Sequence, residues 1–177
     1  MNETIERLTK EFELGGYREQ KPSLAFVRAR KDQLVALLRE LRDREGYSHL
    51  SFMTAIDYIE DGIFRLTYML HNYAAHHGLG VQVDIGRDGE EMDSIHTLWA
   101  QAWTYQRELR EMYGIRFPGS PRIDDDFCLE GWEDIPPMRK EFDTAAFSAE
   151  RFGFREGRAS EEPREHMQQL IYPERDQ

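Results

Sequence analysis

The sequence predicts an α+β fold: a mainly antiparallel sheet of three to four strands, covered by helices and followed by an extended C-terminal arm. Three observations predict it. Phe64, Leu66, Tyr68 and Leu70 alternate with Arg65, Thr67 and Met69, the period of a strand with one buried face. Leu34, Leu37, Leu38 and Leu41 recur at intervals of three and four, which gathers them on one side of a helix. After Phe154 the chain reads REGRASEEPREHMQQLIYPERDQ, with too little apolar surface to offset its ordering entropy alone.

Ile5, Leu8 and Phe12 predict an amphipathic helix over residues 3–14, closed by Gly15-Gly16. Residues 22–29 read as a strand. Asp32 is placed to cap the leucine-bearing helix, and Gly46 to end it. Residues 47–58 are β-branched or aromatic often enough for a strand, and Asp61-Gly62 signals a two-residue hairpin into residues 63–71. Val81, Val83 and Ile85 carry a third antiparallel strand over residues 78–85. The turn at residues 86–90 leads out of the sheet, and Ser94 is placed to cap the next helix, residues 97–113.

That last helix carries Trp99, Ala102, Trp103, Gln106, Leu109, Met112 and Tyr113 along one side, and Gly114 stops it. Arg107, Glu108 and Glu111 stand on its other faces, so it reads as a docking helix. Beyond Gly114 periodicity fades into a segment punctuated by Pro118, Pro121, Pro136 and Pro137, with Phe127 and Trp132 as apolar anchors. Residues 1–150 form one domain on this reading, and residues 151–177 the arm, whose Leu170, Ile171 and Tyr172 suit a hook for a neighbouring subunit.

The 177 residues hold 34 Asp and Glu against 23 Lys and Arg, a net charge of −11. Binding to a nucleic-acid backbone, or directly to an anionic membrane surface, is therefore excluded. The charge-free run 66–83 contains His71, Asn72, His76, His77 and Gln82 and is no bilayer span. The acidic start MNETIERLTKEFEL is not a signal peptide, so a cytoplasmic location is expected. Cys128, the single cysteine, makes no internal disulfide and does not hold an iron–sulfur cluster alone.

Self-sufficient chemistry is hard to find. The histidines around His71 lack an acid or cysteine at zinc-site spacing, so no metal site is assigned. Gly78-Leu79-Gly80 opens a strand, whereas a dinucleotide fingerprint opens a helix, so no cofactor site is assigned. Asp57, Glu108 and Glu111 are the carboxylates of interest, either as a general acid and base or as ion-pair partners of Arg107, Arg110 and Arg139; the second reading is favoured and no catalytic residue is assigned. A different class of function, a small free-standing metal-dependent enzyme, would use His71 and Asp57.

A resemblance rests on four quoted runs. Gln106-Arg107-Glu108 with Glu111-Met112-Tyr113-Gly114-Ile115 is similar to a helix end E-R-E-x-x-D-[ML]-[FLY]-G-I, with Gln and Glu here at the first Glu and the Asp. Pro137-Met138-Arg139-Lys140-Glu141-Phe142 is similar to P-L-R-K-[DE]-[FY], Thr54-Ala55-Ile56-Asp57-Tyr58 to T-A-V-D-Y, and Phe64 to Leu70 to F-x-V-x-Y-x-L. Together, in order over residues 22–143, they resemble the thirty-kilodalton subunit family of respiratory complex I. That family includes the matching subunits of membrane-bound hydrogenases and formate hydrogenlyases.

The resemblance implies a scaffold subunit without cofactor or catalytic residue in the peripheral electron-transfer arm of a membrane-bound oxidoreductase. The donor would be NADH or ferredoxin and the acceptor a quinone. The partners implied are a hydrogenase-like large subunit and iron–sulfur subunits that carry the clusters. Membrane contact would come only through them, on the cytoplasmic side. The interface residues implied are Trp99, Trp103, Arg107, Glu108, Glu111, Arg139, Lys140 and Asp57.

Overall fold

The structure, a computed structural model, describes residues 2–89 and 91–153. The elements in chain order are α1 (Asn2–Phe12), β1 (Gly15–Lys21), β2 (Leu24–Arg28), α2 (Leu34–Asp43), β3 (His49–Tyr58), β4 (Ile63–Asn72), β5 (His77–Gly86), α3 (Ala102–Tyr113) and α4 (Thr144–Phe152). The chain divides into two compact units, residues 1–142 and 143–177. In the second, α4 is capped by Asp143, whose carboxylate accepts the N–H groups of Ala145 and Ala146. The arm as read from the sequence falls almost wholly on residues 154–177, outside the described residues.

The first unit is α+β with a mostly antiparallel sheet, as the alternation predicts. The sheet has five strands in the order β1-β2-β5-β4-β3. Two features were not foreseen. Gly15-Gly16, read as a helix stop, opens β1 (Gly15–Lys21), exposed along its whole length and paired antiparallel to β2. The last strand, β5, inserts beside β2 and runs parallel to it, with Phe26 opposite Gly80. Alternation specifies which face a strand buries and says nothing about its neighbours.

Gly80 lets that insertion happen. The Phe26 ring lies so close over it that an added Cβ would fall 2.3 Å from the ring.

Local stops also differ. The β3–β4 connection is a four-residue loop, Ile59 to Gly62, with Gly62 left-handed at φ 66°. Asp32 sits in a short 3-10 turn before α2 and its carboxylate binds Arg30 (2.8 Å), so it caps nothing. Gly46, left-handed at φ 75°, does turn the chain after α2, where the Tyr47 N–H donates to the Leu41 carbonyl (2.9 Å).

Helix α2 buries Leu34, Leu37, Leu38 and Leu41 completely, and the sheet face contributes Leu50, Leu66, Tyr68, Leu70, Leu79, Val81 and Val83 to the same core. The opposite face is polar where strands meet: Arg65 of β4 holds Asp84 of β5 by two hydrogen bonds of 2.6 and 2.8 Å.

Helix α3 begins at Ala102, five residues later than the periodicity predicts. Residues 95–101 form turns instead, and Ser94 accepts from the His96 N–H and donates to Gln106 Oε1 (2.7 Å) without capping α3. Polar atoms of α3 and of the turn before it have a specific task. Trp99 Nε1 donates to the Ser48 carbonyl, Gln101 Nε2 to that of Leu50, Tyr105 Oη to that of Ser51 and Tyr113 Oη to that of Ala55, at 2.7 to 3.0 Å. β3 is an edge strand, and α3 with the turn before it binds three of its carbonyls and that of Ser48 just before it while packing on its apolar side chains.

Candidate interface site

The quoted motifs converge, and two carboxylates hold them together. Asp57 is the last core-facing residue of β3, with 1% of its side chain exposed. Arg87, directly after β5, donates to both its oxygens through Nε (2.7 Å) and Nη2 (3.0 Å). The Lys140 backbone N–H donates to Oδ2 (2.9 Å), and Glu141 closes the circuit in an ion pair with Arg87. The end of the T-A-I-D-Y strand is therefore fastened to the P-M-R-K-E-F run, 83 residues later.

Arg139 completes this node from the same run. Its Nε donates to the Tyr113 carbonyl at the C-terminus of α3 (2.7 Å), where helix carbonyls lack intrahelical partners. Its guanidinium stands over the Phe64 ring (5.3 Å) and 3.6 Å from Glu141, while the Met138 N–H donates to the Met112 carbonyl (3.0 Å). Gly114 is required here twice over. Its φ is +77°, and an added Cβ would lie 3.1 Å from Arg139 Nη2 and 3.4 Å from Pro136 Cγ.

Glu111 is the second carboxylate. It accepts the backbone N–H groups of Phe127 (2.6 Å), Cys128 (2.9 Å) and Leu129 (3.0 Å), and the Cys128 thiol donates to it at 3.3 Å. An irregular, proline-punctuated segment is thus anchored to α3 by one side chain that serves three consecutive donors.

The ionisation of both groups follows from these bonds. Burial pushes the Asp57 carboxyl up, but the hydrogen bonds from Arg87 and Lys140 and the charges of Arg87 and Arg139 outweigh it, so it lies below the ordinary carboxylate value. Burial likewise raises Glu111, and its backbone and thiol donors outweigh that and bring it down. Desolvation of the Cys128 sulfur, its bond to Glu111 and the charges of Glu111 and Glu108 push that thiol up, which keeps it protonated and a poor nucleophile.

Both carboxylates therefore contribute stability that is present above their unfolded values, about 4, and is lost as pH falls through the lower folded values. Thermal melts of the wild type should fall steeply below about pH 4, and Asp57→Asn and Glu111→Gln should show a shallower fall between about pH 5 and 3. Parallel curves for wild type and both variants would contradict the assignment.

The remaining predicted residues are placed differently. Trp99 is 7% exposed and spent inside the chain. Trp103 is half-buried beside Arg107, whose guanidinium carbon lies 5.0 Å from the Trp103 ring and 5.6 Å from that of Phe127. Glu108 is half-buried and the Lys140 side chain exposed.

His71 pairs with His49 at one end of the β3–β4 ladder, and Asp57 pairs with Phe64 at the other. Seven residues of strand separate them, roughly 24 Å, so they cannot form one active site and that alternative is corrected. Among the described residues no group of three or more His, Cys, Asp or Glu is arranged around a metal-sized position.

Sequence reasoning missed Arg87 and Glu141, treated only as a turn residue and a motif letter. No periodicity marks them, because their partner lies on another strand.

The family model described as respiratory-chain NADH dehydrogenase, 30 Kd subunit, matches residues 27–148. The chain belongs to that family. Among its relatives, one from Moorella thermoacetica, named as a subunit of NADH-quinone oxidoreductase, is 33% identical over 111 residues, covering 63% of this chain and 74% of the relative. A relative of the same name from Erythrobacter litoralis is 30% identical over 149 residues, covering 82% of this chain, which spans only 58% of that relative's length.

A chain from the structure of the membrane-bound sulfane sulfur reductase, an archaeal respiratory membrane complex, has the same fold, with a TM-score of 0.77 at 21% identity. The match covers 92% of this chain and 96% of the other. The matched region of this 30 Kd subunit family member, 27–148, contains both carboxylate nodes and stops within α4. Among the described residues no helix is long and apolar enough to cross a membrane.

Proposed function

We propose that this chain is a scaffold subunit of the peripheral electron-transfer arm of a membrane-bound oxidoreductase of the complex I type. It would dock on a hydrogenase-like large subunit and hold neighbouring iron–sulfur subunits in register, on the cytoplasmic side of the membrane. The electron donor would be NADH or ferredoxin and the acceptor a quinone.

One observation carries this reading: the two motif carboxylates lock the chain to itself. Asp57 and Glu111, the carboxylates with the strongest claim to acid–base chemistry, are occupied by Arg87 and by consecutive backbone N–H groups. Both are held ionised, so neither is poised near neutrality to exchange a proton. Such groups build a rigid surface. Relatives named as subunits of NADH-quinone oxidoreductase supply the identity of the assembly that surface would serve.

A second reading keeps the same role in a membrane-bound nickel–iron hydrogenase or formate hydrogenlyase. The observation that opens this reading is that a chain with the same fold comes from an archaeal respiratory membrane complex named as a sulfane sulfur reductase, a name that carries no quinone.

The test is purification of the chain alone and through an affinity tag from its native host. The isolated chain should carry no stoichiometric iron, nickel or flavin by metal analysis and visible absorption. The tagged chain should retrieve a large subunit and iron–sulfur subunits. A cofactor bound to the isolated chain, or recovery of the chain without partners, would overturn the proposal.

A further inference from the structure

The geometry points to Arg107 as the receptor for one carboxylate of a partner protein chain, with Trp103 and Phe127 as the walls of the site; this rests on the subunit reading above. Arg107 is anomalous among its peers. Of the half-buried arginines described, Arg42, Arg65, Arg87, Arg110 and Arg139 each meet a carboxylate at 2.6 to 3.6 Å. Arg107 meets none among the described residues and its side chain makes no hydrogen bond there, although acids outnumber bases 34 to 23 in the chain. Its Nε is fully buried without a hydrogen-bond partner.

The side chain is nonetheless held in place. Its guanidinium rests against the Trp103 and Phe127 rings at 5.0 and 5.6 Å, and Phe127 is itself pinned by the Glu111 bond to its N–H. Arg122 adds a second positive charge, 5.9 Å from the Trp103 ring, although Asp125 already engages it at 2.6 Å. With Nε turned inward, a ligand from outside meets the two Nη groups end-on, a two-bond geometry that fits a carboxylate and that a lysine does not reproduce. A rigid arginine flanked by aromatics and short of a counter-charge has the composition of an interface anchor.

A protein donor is favoured over a free organic acid because the aromatic walls add apolar area that only a residue embedded in a surface would cover. Arg107→Glu, introduced into the full chain, should bind the partner assembly, purified from a host lacking this subunit, roughly thirtyfold or more weakly than wild type. Arg107→Lys should recover only part of that loss. All three proteins should share one circular dichroism spectrum and melt within a few degrees of one another.

A photoreactive residue in place of exposed Arg122 should cross-link to a partner segment containing Asp or Glu. Wild type that binds no partner assembly would overturn the subunit reading itself. Wild type that binds while Arg107→Glu binds within twofold of it would overturn this inference alone. Cross-linking to residues 154–177 of the same chain would assign the carboxylate to the chain's own acidic arm and also overturn it.

Discussion

Asp57→Ala should destabilise the chain by about 3 to 5 kcal/mol, the cost of removing one member of a buried, hydrogen-bonded ion pair. The substitution leaves Arg87, whose side chain is 13% exposed, with only the partly exposed Glu141, and leaves the Lys140 N–H without its acceptor. A loss of that size is a large fraction of the roughly 5 to 15 kcal/mol by which a domain is stable. Urea denaturation should show the midpoint displaced, and hydrogen exchange should show residues 136–142 opening ahead of the sheet.

The double variant Asp57→Ala/Arg87→Met should lose less than the sum of the two single changes, because it leaves no unpaired buried charge. Unaltered stability in Asp57→Ala, with turnover of the assembled complex abolished, would mean that the carboxylate acts in chemistry and that the structural role is wrong.

Glu111→Ala should cost about 2 to 3 kcal/mol, since hydrogen bonds to a charged group are worth more than neutral ones and three backbone donors lose the same acceptor. The effect should be local. Amide exchange at Phe127, Cys128 and Leu129 should accelerate strongly while the β4 and β5 amides keep their protection. Partner affinity should also fall although Arg107 is intact, because Phe127 would no longer be fixed as a wall against it. Exchange at those three amides as slow as in the wild type would contradict the anchoring role.

The two nodes explain why the P-M-R-K-E-F and Phe127–Leu129 runs lack periodicity of their own. Neither belongs to a helix or strand, and each takes its conformation from a carboxylate elsewhere: Asp57 on β3 for one, Glu111 on α3 for the other. An isolated peptide of either run would have no reason to adopt this shape. Conversely, Arg139, read from its motif as an interface residue, spends its fork on the Tyr113 carbonyl, Glu141 and the Phe64 ring, which leaves Arg107 as the better placed of the two for a partner.

The leucines of α2, the alternation in β4 and the three valine and isoleucine positions of β5 were legible directly, because burial on one face imposes a period that a single segment displays. The motif residues were legible too, as the positions that matter. Their roles were not. The pairing of β2 with β5, the closing of the β3 edge by Trp99, Gln101, Tyr105 and Tyr113, and the capture of Asp57 by Arg87 all join residues distant in the chain.

The sequence by itself determined the α+β class, the buried faces and the family. Only the tertiary structure decided which carboxylates are occupied and that Arg107 lacks a carboxylate partner among the described residues. A side chain's own identity sets what it can bond, while the fold alone sets what stands within hydrogen-bond reach of it.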